Sequence, residues 1–166
     1  QSLQREVRDG TLTNAGENLY RVNHILPNAY MVPESRLVSN RLKAIEVSLE
    51  ENFDATRLVL LEQPSTKNTG GGGGTVLANA YEGTNRIIVK VDSLGGWLIL
   101  NDSFYPGWRA FVNGKEEELL RANGFFKSVY LKPGRQDVVF VYRPTSFSWA
   151  KWVSLTDHPV QPPLKL

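Results

Sequence analysis

Cysteine is absent from the 166 residues, methionine occurs once and histidine twice. Without cysteine there is no disulfide framework, no thiolate zinc site and no cysteine nucleophile. The two histidines, His24 and His158, lie far apart and outside any ligand-spaced cluster, so no protein-only metal site is expected. Charge of one sign is also lacking. Nineteen Lys and Arg face 17 Asp and Glu, a net charge of +2, which is too little to argue for nucleic acid as a partner. No run approaches the ~20 apolar residues of a membrane-spanning helix. The opening Gln1-Ser2-Leu3-Gln4-Arg5-Glu6 has no basic stretch leading into an apolar core, so no signal peptide is read there. Strand-like residues begin almost at once, as in a piece of a longer chain. With 41% hydrophobic and 22% charged residues, the composition is that of an ordinary globular module.

Short β runs dominate what is present. Leu19–Asn23, Ala29–Val32, Arg57–Leu61, Thr75–Tyr81, Arg86–Val91 and Trp97–Asn101 are rich in β-branched and aromatic residues. Asn113-Gly114 between Arg109–Asn113 and Lys115–Leu120 is a strong hairpin signal, because a type I′ turn needs positive φ at both centre positions. Lys132-Pro133-Gly134-Arg135, between Phe125–Leu131 and Asp137–Tyr142, has proline and glycine in the order of a tight turn. One helix is expected over Arg41–Glu51, capped by Ser39 and burying Leu42, Ile45 and Leu49. The sum is a mainly β fold: an antiparallel β-sandwich or jelly roll with a small N-terminal α+β portion containing one helix.

Four regions are expected: an α+β portion over 1–63, a Gly-rich flexible loop or linker over 64–75, a sandwich over 76–145, and a membrane-proximal segment with a Pro-rich tail over 146–166. The glycines Gly70 to Gly74 do not form a phosphate-binding loop, because no Gly-Lys-Ser/Thr ending or helix follows them.

The densest signal runs from Trp97 through Asn101-Asp102-Ser103-Phe104-Tyr105-Pro106-Gly107-Trp108-Arg109-Ala110-Phe111-Val112-Asn113-Gly114-Lys115. It continues in Arg121-Ala122-Asn123-Gly124-Phe125-Phe126-Lys127-Ser128-Val129 and closes in Pro133-Gly134-Arg135-Gln136-Asp137-Val138 and Phe140-Val141-Tyr142-Arg143-Pro144. This series resembles the C-terminal extracytoplasmic domain of the YfhO-type bacterial membrane proteins and related glycosyltransferase-like integral membrane proteins. The upstream stretch from Leu19 to Val32 is similar to a further element of that family. The resemblance covers about Leu19 to Leu155. Asn28 stands where the family usually has Arg, Asn113 where Asp is common, and Gln136 where His is common.

The resemblance implies a domain on the extracytoplasmic face of the bacterial cytoplasmic membrane, tethered through spanning segments that this sequence does not contain. It implies no cofactor and no catalytic residue here, since the family's glycosyl-transfer chemistry belongs to loops between membrane helices. The leading expectation is a non-catalytic domain that helps position a lipid-linked sugar or an envelope polysaccharide. Its ligand contacts would come from Asp102, Phe104, Tyr105, Trp108, Arg121 and Asn123. Flat rings with Asn, Asp and Arg nearby are what a sugar-binding surface uses. Each has a plainer role beside it: the rings as sandwich core, and Asp102 as a turn former bonded to backbone amides. Phe104 and Tyr105, before Pro106, are the rings expected to stay exposed. Phe147, Trp149 and Trp152, with Lys151, fit either a membrane interface or the closing of the core. The alternative expectation is an interaction domain that packs on the membrane portion of its parent chain or on a partner protein, without sugar binding.

Overall fold

The computed structural model describes residues 12–17, 19–22, 25–65 and 71–143. Phe147, Trp149, Trp152 and His24 lie outside the described residues. The chain is mainly β, with one short helix. Its elements are β1 (Leu12–Gly16), β2 (Leu19–Val22), β3 (Ala29–Val32), β4 (Glu34–Leu37), α1 (Arg41–Ser48), β5 (Leu58–Leu61), β6 (Gly73–Tyr81), β7 (Arg86–Ser103), β8 (Trp108–Val112), β9 (Lys115–Glu117), β10 (Leu120–Ala122), β11 (Phe126–Leu131) and β12 (Gly134–Tyr142). β1 and β2 form a separate hairpin, and the other ten strands are joined in one hydrogen-bonded network. The network is mixed rather than purely antiparallel, because β4 and β5 run parallel.

β7 organises the molecule. Arg86–Val91 and Trp97–Asn101, two runs in the sequence, belong to a single 18-residue strand. Its first half pairs with β6 and β12, and its second half with β3 and β11. The change of partners falls at Gly95 and Gly96, whose φ values are +94° and +143°. A Cβ on Gly96 would stand 2.6 Å from the Val32 carbonyl oxygen, so the close approach of β3 requires glycine there.

The two halves read differently because they are buried differently. In the first, Ile87, Val89 and Val91 are buried while Arg86, Lys90 and Asp92 are exposed, the alternation of a strand with one solvated face. In the second, Leu98 and Leu100 enter one apolar cluster and Trp97 and Ile99 another, so the run is apolar throughout. The first cluster also collects Ile87, Val89, Val91, Ala110, Val138 and Phe140, drawing on both halves of β7.

Pro133-Gly134 does not reverse the chain. β11 and β12 are both antiparallel to β7, with Leu131 opposite Gly96 and Gly134 opposite Ser93. Two strands that are each antiparallel to a third run the same way, so the Pro-Gly pair, with Gly134 at φ +116°, carries the chain onward from β11 into β12 along β7. Asn113-Gly114 forms the expected two-residue hairpin, with φ +49° and +81° and Val112 opposite Lys115. Lys115–Leu120 splits into β9, paired with β8, and β10, paired with β11 and β5.

The helix also departs from its sequence pattern. Its cap is Asn40, whose Oδ1 accepts from the Lys43 N–H at 2.9 Å, and not Ser39. Ala44 and Val47 are buried against Leu60 of β5, whereas Leu42 and Leu49 are 77% and 79% exposed. Ile45, the third residue of the spaced set, is half-buried against Gly124. Gly124 sits so near that a Cβ there would lie 2.7 Å from Ile45 Cγ1.

The segments on either side of the glycine run share one network, through β3 with β7 and β5 with β10. The Gly-rich region differs from a free linker at its end. Gly73 and Gly74 belong to β6, and Cβ atoms on Gly71 and Gly74 would meet the Gly95 and Asp92 carbonyl oxygens at 2.2 and 2.6 Å.

Candidate functional site

Lys127 is the least expected side chain in the fold. It is wholly buried, on the β11 face whose neighbours Val129 and Leu131 enter the first apolar cluster. Burial disfavours the ammonium and pulls its pKa below the ordinary lysine value, against the opposing hydrogen bond and charge of Asp102. Lys127 Nζ donates to Asp102 Oδ2 at 2.7 Å and lies 4.0 Å from the centre of the Trp108 ring. Asp102 also takes the Ser103 N–H on Oδ1 at 2.8 Å, so the turn-forming role and the ion pair coexist. A bulge brings the two together: Phe126 faces Ser103 and Lys127 faces Leu100, leaving Asn101 and Asp102 as the extra residues.

Arg121 is the direct cross-strand neighbour of Lys127. Two cations placed opposite one another repel, and here each has its own acid and its own ring. Arg121 Nη1 donates to Glu62 Oε2 at 3.0 Å, and the guanidinium lies 5.0 Å from the Phe104 ring centre. A third cation follows the pattern in part: Arg41 of α1 lies 5.1 Å from the Phe125 ring centre, and its Nε donates to the Gly124 carbonyl at 2.9 Å. The result is a strip of cations and rings on one face of the sheet, running from the helix contact to the main core.

Of the six sequence-derived ligand residues, Asp102, Phe104, Trp108 and Arg121 come together in this strip. Tyr105, adjacent in sequence, is 61% exposed. Phe104 is half-buried beneath Arg121, unlike the exposed ring expected. Asn123 serves β5: its Oδ1 accepts from the Leu60 N–H and its N–H donates to the Leu60 carbonyl, both at 2.9 Å, with its backbone at φ +50°. Trp108, Ala110 and Val112, alternate residues of β8, turn toward the first apolar cluster. Lys127 was overlooked because a single lysine in a strand reads as a solvent-facing residue. The available signal was its place between Phe126 and Val129 in a run that otherwise reads as core.

Among the described residues no three His, Asp or Glu converge to hold a metal, and no helix is long and apolar enough to cross a membrane. A cavity of about 670 Å³ lies elsewhere, lined by Ile25–Pro27 and Glu51–Thr56. No family model matches the chain, and neither curated proteins nor solved structures give a match.

Proposed function

We propose that this chain is a non-catalytic β-sandwich module of a longer YfhO-type membrane protein, held on the extracytoplasmic face of the bacterial cytoplasmic membrane. In this reading it packs on the membrane portion of its parent or on a partner protein. The sandwich is supported by contacts that bring the two halves of β7 back together. Lys127, opposite the second half, packs under Trp108, whose strand lies beside the partner of the first half. The Asn28 side chain, next to the second half, donates to the Tyr81 hydroxyl, next to the first.

One observation carries the choice between interaction and sugar binding. A pyranose needs an open ring face and unengaged polar groups beside it, and here Trp108, Phe104 and Phe125 each have a cation over one face. Asp102 and Arg121 are engaged with Lys127 and Glu62. The strip is therefore a structural element that settles three cations against the sheet. Tyr105, exposed and with no cation over it among the described residues, is what the sugar reading retains.

Titration of the ¹⁵N-labelled chain with envelope polysaccharide fragments tests the choice. The interaction reading expects no localised shift changes at Phe104–Trp108. A saturable change there, lost in Tyr105→Ala, would establish the sugar reading in its place.

A further inference from the structure

In the ten-stranded network four strands, β3, β4, β6 and β9, have one unpaired side among the described residues, and they differ in chemistry; β3 is four residues long and wholly buried. β4 is four residues long and carries Glu34 and Arg36. β9 is three residues long, and every one of them, Lys115, Glu116 and Glu117, is charged. Short, charged strands are how folds protect an edge from pairing with another chain. β6 is different. It spans nine residues, Gly-Gly-Thr-Val-Leu-Ala-Asn-Ala-Tyr, with neither a charge nor a proline. It pairs only with β7 among the described residues, so its other edge presents free N–H and C=O groups. Leu77 and Tyr81 on it are 54% and 53% exposed.

We propose that the outer edge of β6 pairs with β6 of a second copy, antiparallel across a two-fold axis, joining the two sheets into one. Free ladder groups are met by another strand, and an uncharged strand is the kind that can face itself without repulsion. In an antiparallel pair about a two-fold axis every residue meets its own sequence in reverse, so any charge near the axis would oppose its own copy. The row behind is balanced as well: Ala78 is paired with Lys90 and Thr75 with Asp92, one cation and one anion. The bulge at Leu77 divides the edge, leaving Ala78–Tyr81 as a regular, exposed stretch next to the axis. Nothing in this proposal depends on the function proposed above.

The absence of cysteine makes the test direct, because a single introduced cysteine has only its own copy to pair with. Leu77→Cys, Asn79→Cys and Tyr81→Cys, each made alone and oxidised gently at micromolar concentration, are expected to include at least one position that gives a disulfide-linked dimer rapidly. Glu116→Cys on β9 serves as the control edge and is expected to give little cross-linked product, since β9 lies away from the paired edge. Sedimentation of the unmodified chain should show a monomer–dimer equilibrium, and Leu77→Lys should weaken it by about tenfold. A chain that sediments as a monomer up to high micromolar concentration overturns the proposal. So does cross-linking that is equal at β6 and β9, or a dimer that Leu77→Lys leaves unchanged while circular dichroism shows the variant folded.

Discussion

Removing Asp102 and removing Lys127 should have unequal consequences, although they delete the same ion pair. Asp102→Ala leaves an ammonium with no accessible surface facing apolar neighbours and the Trp108 ring. Breaking a buried pair from one side typically costs about 3–5 kcal/mol. Two features reduce that figure. The Asp102 side chain is 37% exposed, so water already screens the pair. Lys127, whose pKa is already pulled down by burial, can also lose its proton once the carboxylate is gone. A destabilisation of about 2–3 kcal/mol remains. Lys127→Met keeps the length of the side chain, fills the same space and leaves Asp102 bonded to the Ser103 N–H and to water, so its cost should stay below ~1 kcal/mol. The double variant should resemble Lys127→Met. Urea unfolding followed by tryptophan fluorescence measures all three. The pH dependence adds a second signature. Because the folded-state pKa of Lys127 lies below the unfolded value of 10.5, stability associated with it is fully present above 10.5 and is lost as pH falls through the lowered value. Asp102→Ala should therefore regain stability on going from neutral to alkaline pH. If Lys127→Met is as damaging as Asp102→Ala, the positive charge itself is required, and the description of the strip as a structural device fails.

Three further outcomes follow from other parts of the fold. Gly124→Ala places a Cβ 2.7 Å from Ile45 Cγ1 at φ +77°, and should cost about 2–3 kcal/mol in chemical denaturation, whereas Gly114→Ala, at φ +81° with nothing within 4 Å, should cost only about 1 kcal/mol. Tyr30 is buried with its hydroxyl unpartnered among the described residues and its pKa pushed up to about 12. The corresponding stability, of order 2–3 kcal/mol, should be complete below pH 10 and lost as pH rises toward 12, with Tyr30→Phe abolishing that alkaline loss in thermal scans. Leu42→Lys and Leu49→Lys should each change stability by less than about 0.5 kcal/mol, since both side chains face solvent; a loss above 2 kcal/mol at either would contradict the orientation of α1.

Individual strands were legible wherever local chemistry sufficed. Ala29–Val32 has the bounds that its residues suggest, and Asn113-Gly114 adopts the positive φ pair that a two-residue hairpin needs. Trp108, Ala110 and Val112 share the face toward the first cluster, because side-chain direction along a strand has a period of two whatever the surroundings. Four of the six residues singled out around the Asp102–Trp108 turn and β10 do assemble, which reflects how much of that strip is contiguous along the chain.

Other features depended on neighbours remote in sequence. Leu42, Ile45 and Leu49 have helical spacing, yet α1 turns Ala44 and Val47 onto Leu60 and rests Ile45 against Gly124, leaving Leu42 and Leu49 in solvent, because the partners that set the helix's rotation are remote in sequence. Pro133-Gly134 has the composition of a reversal, but β7 pairs with the strands on both sides of it, and its long-range ladder sets their common direction. Lys127 could not be recognised as buried from its own segment. Its ammonium is held by a carboxylate 25 positions earlier, brought to it by the bulge at Asn101-Asp102, and by a ring on β8. Propensity and periodicity act over a few residues and were enough to specify the strands. Which strands lie together, and so which charges and rings meet, was settled by contacts between distant segments that no local pattern encodes.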